Sequence, residues 1–209
     1  GGIIRVKKVK ERSSIIEVIN NLPSPNVEVV VREKDGKSER GKLVGIGYDD
    51  RAIYFTFRVN DDVVFNPYQG RDLLSGDAIS IYLDLLNDAR GHWWGTVHYR
   101  YVIGSNGDIW ATRLVGNSAG MHLEQIIDTD AQAYVRKVSG GYEIDLIVPH
   151  VETCIIPVSG LRIGFNIDIT DVDDGSDPAT PWGKYYTSWL EKHDSNQMKK
   201  WGVLEFIGG

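Results

Sequence analysis

The sequence predicts an all-β protein, a sandwich of two antiparallel sheets of the jelly-roll kind with an immunoglobulin-like appearance. Three observations predict it. Apolar and polar residues alternate with period two in segment after segment. The turns between these segments, such as "SNGD" and "SGGY", are rich in Gly, Asn and Asp. No stretch carries a long helical stripe.

The opening stretch, residues 1–45, is the least legible. "GGIIRVKKVK" and "VEVVVREK" look like strands, "EKDGKSERG" looks like a hairpin turn, and "NLPSPN" is a Pro-rich breaker. The breaker is too short for a flexible linker, so the reading is one domain over residues 1–209, with the first strands unplaced. Over 52–60, Ile53, Phe55, Phe57 and Val59 share one face and Tyr54, Thr56 and Arg58 the other. Over 77–85, Ile79, Ile81, Leu83 and Leu85 face in, while Ser80, Tyr82 and Asp84 face out. Over 97–103, Val97, Tyr99, Tyr101 and Ile103 oppose His98, Arg100 and Val102. Over 142–148, Tyr142, Ile144, Leu146 and Val148 oppose Glu143, Asp145 and Ile147. Over 161–170, Leu161, Ile163, Phe165, Ile167 and Ile169 oppose Arg162, Asn166, Asp168 and Thr170, and "WGVLEF" closes the set.

Composition narrows the function. With 209 residues, 42% of them hydrophobic, the chain can bury a substantial core. A net charge of −6 lacks the basic footprint that nucleic acid or an anionic membrane requires. No run approaches the roughly 18 consecutive apolar residues of a spanning helix. The chain opens Gly1-Gly2 without methionine, which reads as an excised piece, so the missing signal peptide carries no information. The single cysteine, Cys154, excludes an intramolecular disulfide; its apolar run "TCIIPV" predicts a buried, inert thiol.

The candidate site residues are aromatics in loops and polar groups on strand faces. Trp93 and Trp94 sit in "DARGHWWGTVHYR"; Trp182, Tyr185, Tyr186 and Trp189 crowd "TPWGKYYTSWLE". Sugar rings offer apolar C–H faces and a rim of hydroxyls, so a sugar site needs exposed aromatics and paired donors and acceptors. The alternative is that these aromatics seal the ends of the sandwich. Arg100, Asn166, Asp168 and Asp84 would lie side by side if their strands are neighbours, with a plain solvated face as the alternative. The acidic loop "DITDVDDGSD" offers Asp171, Asp173 and Asp174 as ligands for calcium, which takes six to eight oxygens from flexible loops. Asp61 and Asp62, and Asp49 and Asp50, are weaker candidates, and a solvated turn is the alternative.

Enzyme readings are also open. Glu143 and Asp145 share a strand face as paired carboxylates of a glycoside hydrolase should, but Ile147 and Val148 follow where a third acid is needed. A polysaccharide lyase would use His98, Arg100 and Tyr82 as base and neutraliser. A haem or redox role would need Met and His together, and the adjacent Met121-His122 would point to opposite faces of a strand.

The order "YDDRAIYFTFRVNDD … GDAISIYLDL … GGYEIDLIVPH … GLRIGFNIDITDVDDG … SW … KKWGVLEF" resembles a family 9 carbohydrate-binding module, and the wider sugar- and haem-binding DOMON-like group, over residues 48–207. The resemblance implies a jelly-roll that grips a sugar between two aromatics, with calcium bracing the loops. It puts the second aromatic on Trp189 and a hydroxyl-binding arginine on Arg100. The first aromatic is expected just before "DAISIYLD", where this sequence has Leu73, Leu74 and Ser75; the nearest aromatic is Tyr68. A family glutamate falls on Ser80 and a family tryptophan on His150. The resulting expectation is a secreted, non-catalytic module. It binds a polysaccharide through Trp189, Arg100, Asn166 and a second aromatic, Tyr68 or Trp93, and is covalently linked to a catalytic domain. Polysaccharide-degrading activity and haem binding are the alternatives.

Overall fold

The computed structural model describes residues 2–32, 38–87, 98–117, 120–126, 128–174, 184–187 and 202–208, without the side chains of 114–117, 120–123 and 184–187. Thirteen strands follow in chain order: β1 (Ile3–Lys7), β2 (Val30–Arg32), β3 (Glu39–Tyr48), β4 (Ala52–Asn60), β5 (Ala78–Asp84), β6 (His98–Gly104), β7 (Ile109–Asn117), β8 (Gly120–Gln125), β9 (Gln132–Val138), β10 (Gly141–Pro149), β11 (Arg162–Asp171), β12 (Lys184–Thr187) and β13 (Gly202–Ile207). Two short helices, α1 (Ile15–Ile19) and α2 (His150–Thr153), and a 3-10 turn, Gly70–Ser75, complete the described elements.

The strands form two sheets. The larger runs β1-β13-β11-β5-β6-β7-β8, with β12 also pairing β11; the smaller runs β2-β3-β4-β10-β9. Pairing within both is antiparallel apart from β1 on β13. The connections β1–β2, β4–β5, β8–β9 and β10–β11 each cross from one sheet to the other, so the two sheets alternate along the chain. The first strand is therefore part of the sandwich: Ile3–Lys7 pair in register with Val203–Ile207.

The inward residues predicted from alternation meet in one core. Ile53, Phe55, Phe57 and Val59 of β4 pack with Ile79, Ile81 and Leu83 of β5, Tyr99, Tyr101 and Ile103 of β6, and Ile163, Phe165, Ile167 and Ile169 of β11. Phe55 stacks on Phe57 and across the sandwich on Phe165, both at 5.7 Å between centroids. Each such ring contributes on the order of 2–3 kcal/mol of burial, so these three hold the two sheets together. A second cluster lies outside the smaller sheet, where Val18 of α1 covers Ala52, Tyr54 and Ile147.

One expectation is corrected. Cys154 is exposed, not buried. It ends α2 in the left-handed conformation, with φ of 58°, and its N–H bonds His150 O. That turn swings the "TCIIPV" run to the surface, where Ile156 is also exposed.

Candidate functional site

Strands β11, β5, β6 and β7 are consecutive in the larger sheet, so their outward side chains meet in rows. Asp84 opposes Gly164 on one side and His98 on the other. The next row sets Asn166 against Tyr82, Tyr82 against Arg100, and Arg100 against Thr112. The row after that sets Asp168 against Ser80 and Ser80 against Val102. Arg100, Asn166, Asp168 and Asp84 thus share one face, as their alternation predicts.

This face is polar yet buried. Asn166, Asp168 and Asp84 are 0% exposed, His98 and Ser80 1%, and Arg100 7%. A polar face sealed this far from water needs internal partners. His98 Nε2 lies 2.7 Å from Asp84 Oδ1. Asn166 Nδ2 donates to Asp168 Oδ1 at 3.4 Å. Arg100 donates from a terminal nitrogen to Ser80 Oγ at 3.3 Å, and its guanidinium sits 5.2 Å from the Tyr82 ring centroid. The solvated-face alternative does not describe this arrangement.

At the other end of the face, Leu73 and Leu74 of the 3-10 turn pack with Ala78, Val102 and Trp110. The segment where the resemblance wanted an aromatic is thus an apolar plug. Tyr68 is half-buried edge-on against Phe65, and its carbonyl accepts from Asn106 in the β6–β7 turn. No described contact joins Tyr68 to Arg100 or Asn166. His150 is buried, with Nε2 2.8 Å from Asp49 O, and serves the β3–β4 corner. Trp93, Trp94, Trp182 and Trp189 lie outside the described residues; Tyr186 is placed by its backbone alone, in β12 opposite Ile169.

A second constellation forms at the end of β4. One carboxylate oxygen from each of Asp61, Asp171 and Asp173 lies within 4.8 Å of the other two. Asp174 is exposed and is not in this group. Asp77, fully buried, adjoins Asp61; burial first, and the hydrogen bond its proton donates to Asp61 second, push its carboxyl up to about 9. Asp77 also ties the crossing loop down, accepting from Phe65 N at 2.5 Å and from Val172 N at 2.7 Å. Arg40 pairs with Asp171. The Tyr142 hydroxyl, buried without a hydrogen-bond partner, feels Asp77, Asp61 and Asp171; burial first and these charges second hold its pKa well above the usual phenol value. Crowded carboxylates and an orphaned hydroxyl form an all-oxygen set that suits a hard cation such as calcium. The sequence flagged Asp61 only weakly, because its approach to Asp171 depends on the crossing connection.

The carboxylates of the hydrolase reading are otherwise engaged. Arg136 holds both Glu143, at 2.5 Å, and Asp145, at 2.6 Å, and Thr56 donates to Asp145. They form a charge ladder on the outside of the smaller sheet.

A family model described as "Carbohydrate family 9 binding domain-like" matches residues 26–208. The chain belongs to that family. Among solved structures, a family 9 carbohydrate-binding module from Caldicellulosiruptor kristjanssonii in complex with cellotriose aligns over 99% of this chain and 94% of its own, at 14% identity and a TM-score of 0.67. The same organism's module in complex with glucose aligns over 99% and 96%, at 14% identity and a TM-score of 0.61. A protein from Bacteroides uniformis ATCC 8492 aligns over 99% of both chains, at 14% identity and a TM-score of 0.70. These likenesses establish the jelly-roll sandwich. No curated protein matches.

Proposed function

We propose that this chain is a non-catalytic carbohydrate-binding module whose sugar site is the polar face of β11, β5 and β6. One observation carries the reading: in a chain of this family, Arg100, Asn166, Asp168 and the His98–Asp84 pair lie together on three adjacent strands, buried and packed against polar neighbours. Fixed donors and acceptors are what discriminate one hydroxyl pattern from another. The complexes of similar structures with cellotriose and glucose support a saccharide as the ligand.

Within this proposal Trp189 stacks on the sugar, with Tyr68 or Trp93 as the second aromatic. The module is secreted and tethers a linked catalytic domain to its polysaccharide, raising the local concentration of that enzyme on its substrate. Asp61, Asp171 and Asp173 would hold a calcium ion that braces the crossing loops. The metal's contribution is structural: a divalent charge that relieves the repulsion among carboxylates.

The test is binding of the whole chain to a panel of soluble and insoluble polysaccharides, beside Trp189→Ala and Arg100→Ala. We expect binding to at least one glycan, weakened at least tenfold in each variant with the far-UV spectrum unchanged. No binding by the wild type, with or without calcium, would sink the proposal. Release of sugar products during the same incubation would favour an enzyme instead.

A further inference from the structure

We infer that the sugar taken by this face is acidic, and that Arg100 receives its carboxylate. The inference rests on the carbohydrate-binding reading and narrows the class of ligand.

Among the described residues, Arg100 is a buried cation without a counter-ion. No carboxylate oxygen of a described residue lies within 4.0 Å of its guanidinium. Its partners are a neutral hydroxyl, Ser80 Oγ, and the face of the Tyr82 ring. Of the acids that share the sheet face, Asp84 lies against His98, and Asp168 accepts from the Asn166 amide; neither lies within 4.0 Å of the Arg100 guanidinium. Other arginines behave differently. Arg51, Arg58, Arg136 and Arg162 are each a third or more exposed, or nearly so, and each holds a carboxylate. Arg40, itself largely buried, pairs with Asp171, so among the described residues the buried guanidinium of Arg100 stands apart in facing no carboxylate. A buried charge without a partner is strongly unfavourable, so this arrangement makes physical sense when a ligand supplies the anion.

The surrounding donors agree. Arg100 Nε is buried with no hydrogen-bond partner, and so is Thr112 Oγ1 on the neighbouring strand. Arg100 and Thr112 are register partners, so these two unsatisfied groups stand on neighbouring strands of the same face. A sugar hydroxyl would accept a hydrogen bond there but leave the charge standing. A carboxylate accepts from a guanidinium fork through two oxygens, takes a third bond from a threonine hydroxyl, and cancels the charge. A uronic acid residue carries such a carboxylate on a ring that still presents an apolar face for stacking.

The experiment is calorimetric titration of the whole chain with oligogalacturonate, oligoguluronate and oligoglucuronate, each beside its carboxyl-reduced neutral counterpart. Wild type, Arg100→Gln and Arg100→Lys are compared, in low and in high salt. We expect at least one acidic oligomer to bind tenfold or more tightly than its reduced form. That preference should shrink in high salt, vanish in Arg100→Gln, and survive in part in Arg100→Lys, which keeps the charge and loses the fork. If the reduced oligomers bind as tightly as the acidic ones, or a folded Arg100→Gln keeps the preference, the inference falls and the carbohydrate-binding reading stands. If no oligomer and no polysaccharide of the panel binds, that reading falls and takes the inference with it. Should Arg100→Gln fail to fold, the wild-type comparison of acidic and reduced oligomers still decides.

Discussion

His98 Nε2 lies 2.7 Å from Asp84 Oδ1 across the β5–β6 ladder, with both side chains out of reach of water. The pair anchors one end of the polar face: Asp84 faces Gly164 on β11, and an added Cβ at that glycine would come within 2.8 Å of the Asp84 Cβ. Asp84→Ala removes the acid that faces a buried imidazole and leaves a cavity beside it. The expected cost is about 3 kcal/mol, read from urea denaturation at pH 7. A loss below about 1 kcal/mol would mean that the pair is not a structural anchor.

Much of the fold is legible because five strands alternate cleanly, and their inward residues are the ones that meet in the core. Strand β3 is harder to see. Gly45 and Gly47 interrupt its pattern because the N-terminal segment packs close there: a Cβ on Gly45 would lie 3.1 Å from Leu22 Cβ, and one on Gly47 2.7 Å from Val9 Cγ1. Helix α1 has five residues, too few to show a stripe. The members of the polar face are legible one strand at a time, but their rows depend on register, which the pattern along a single strand does not contain. Thr112 escapes notice for that reason, since only its position opposite Arg100 makes it matter. Asp77 escapes because it precedes a strand in an ordinary turn, "SGDAIS", and gains its role from Asp61 across a crossing loop.

The β9–β10 hairpin contains two adjacent glycines that are there for different reasons. At Gly141 an added Cβ would fall on the carbonyl oxygen of Val59 in β4. Gly140 has open space around it but a φ of 79°, in the region that L side chains rarely adopt. Gly141→Ala should therefore cost about 3 kcal/mol or more, because the central β4–β10 ladder must part. Gly140→Ala should cost only about 1 kcal/mol, from backbone strain alone. Thermal melting of the two variants side by side checks the order. Equal losses would contradict the packing at Gly141.

Asp49 closes the β3–β4 corner and sets an acid limit on stability. Its buried carboxylate accepts from Arg51 N, Ala52 N, Tyr54 Oη and the Arg51 guanidinium. Burial alone would raise its pKa, but these hydrogen bonds, those of Arg51 foremost, outweigh burial and hold it below the usual 3.8. A depressed folded pKa means that the ionised form favours the native state. The contribution is complete above the unfolded value near 3.8 and is lost as pH falls through the lower folded value. Asp49→Asn should lower stability at pH 7 by about 2 kcal/mol and flatten the decline below pH 4. If the variant keeps the wild-type slope on the acid limb, the titration belongs to another group.

The acid cluster makes a prediction about metal. Asp61, Asp171 and Asp173 converge with no described cation beyond Arg40, which pairs with Asp171. Placing these carboxylates together costs repulsion, and a divalent ion that binds the folded chain offsets it by mass action. Calcium at a hundred times its dissociation constant would stabilise the protein by about 2.7 kcal/mol, a rise in Tm of several degrees that a chelator should reverse. Asp171→Asn removes a charge from the cluster and from Arg40 at once, so it should abolish the calcium-dependent rise. Asp174→Asn, outside the group, should leave it intact. The contrast matters because both residues belong to one acidic loop: if the two variants respond alike, loop charge alone attracts the ion. If calcium moves neither the melting temperature of the wild type nor that of Asp174→Asn, Arg40 is sufficient counter-charge and the cluster is a buried ion-pair network.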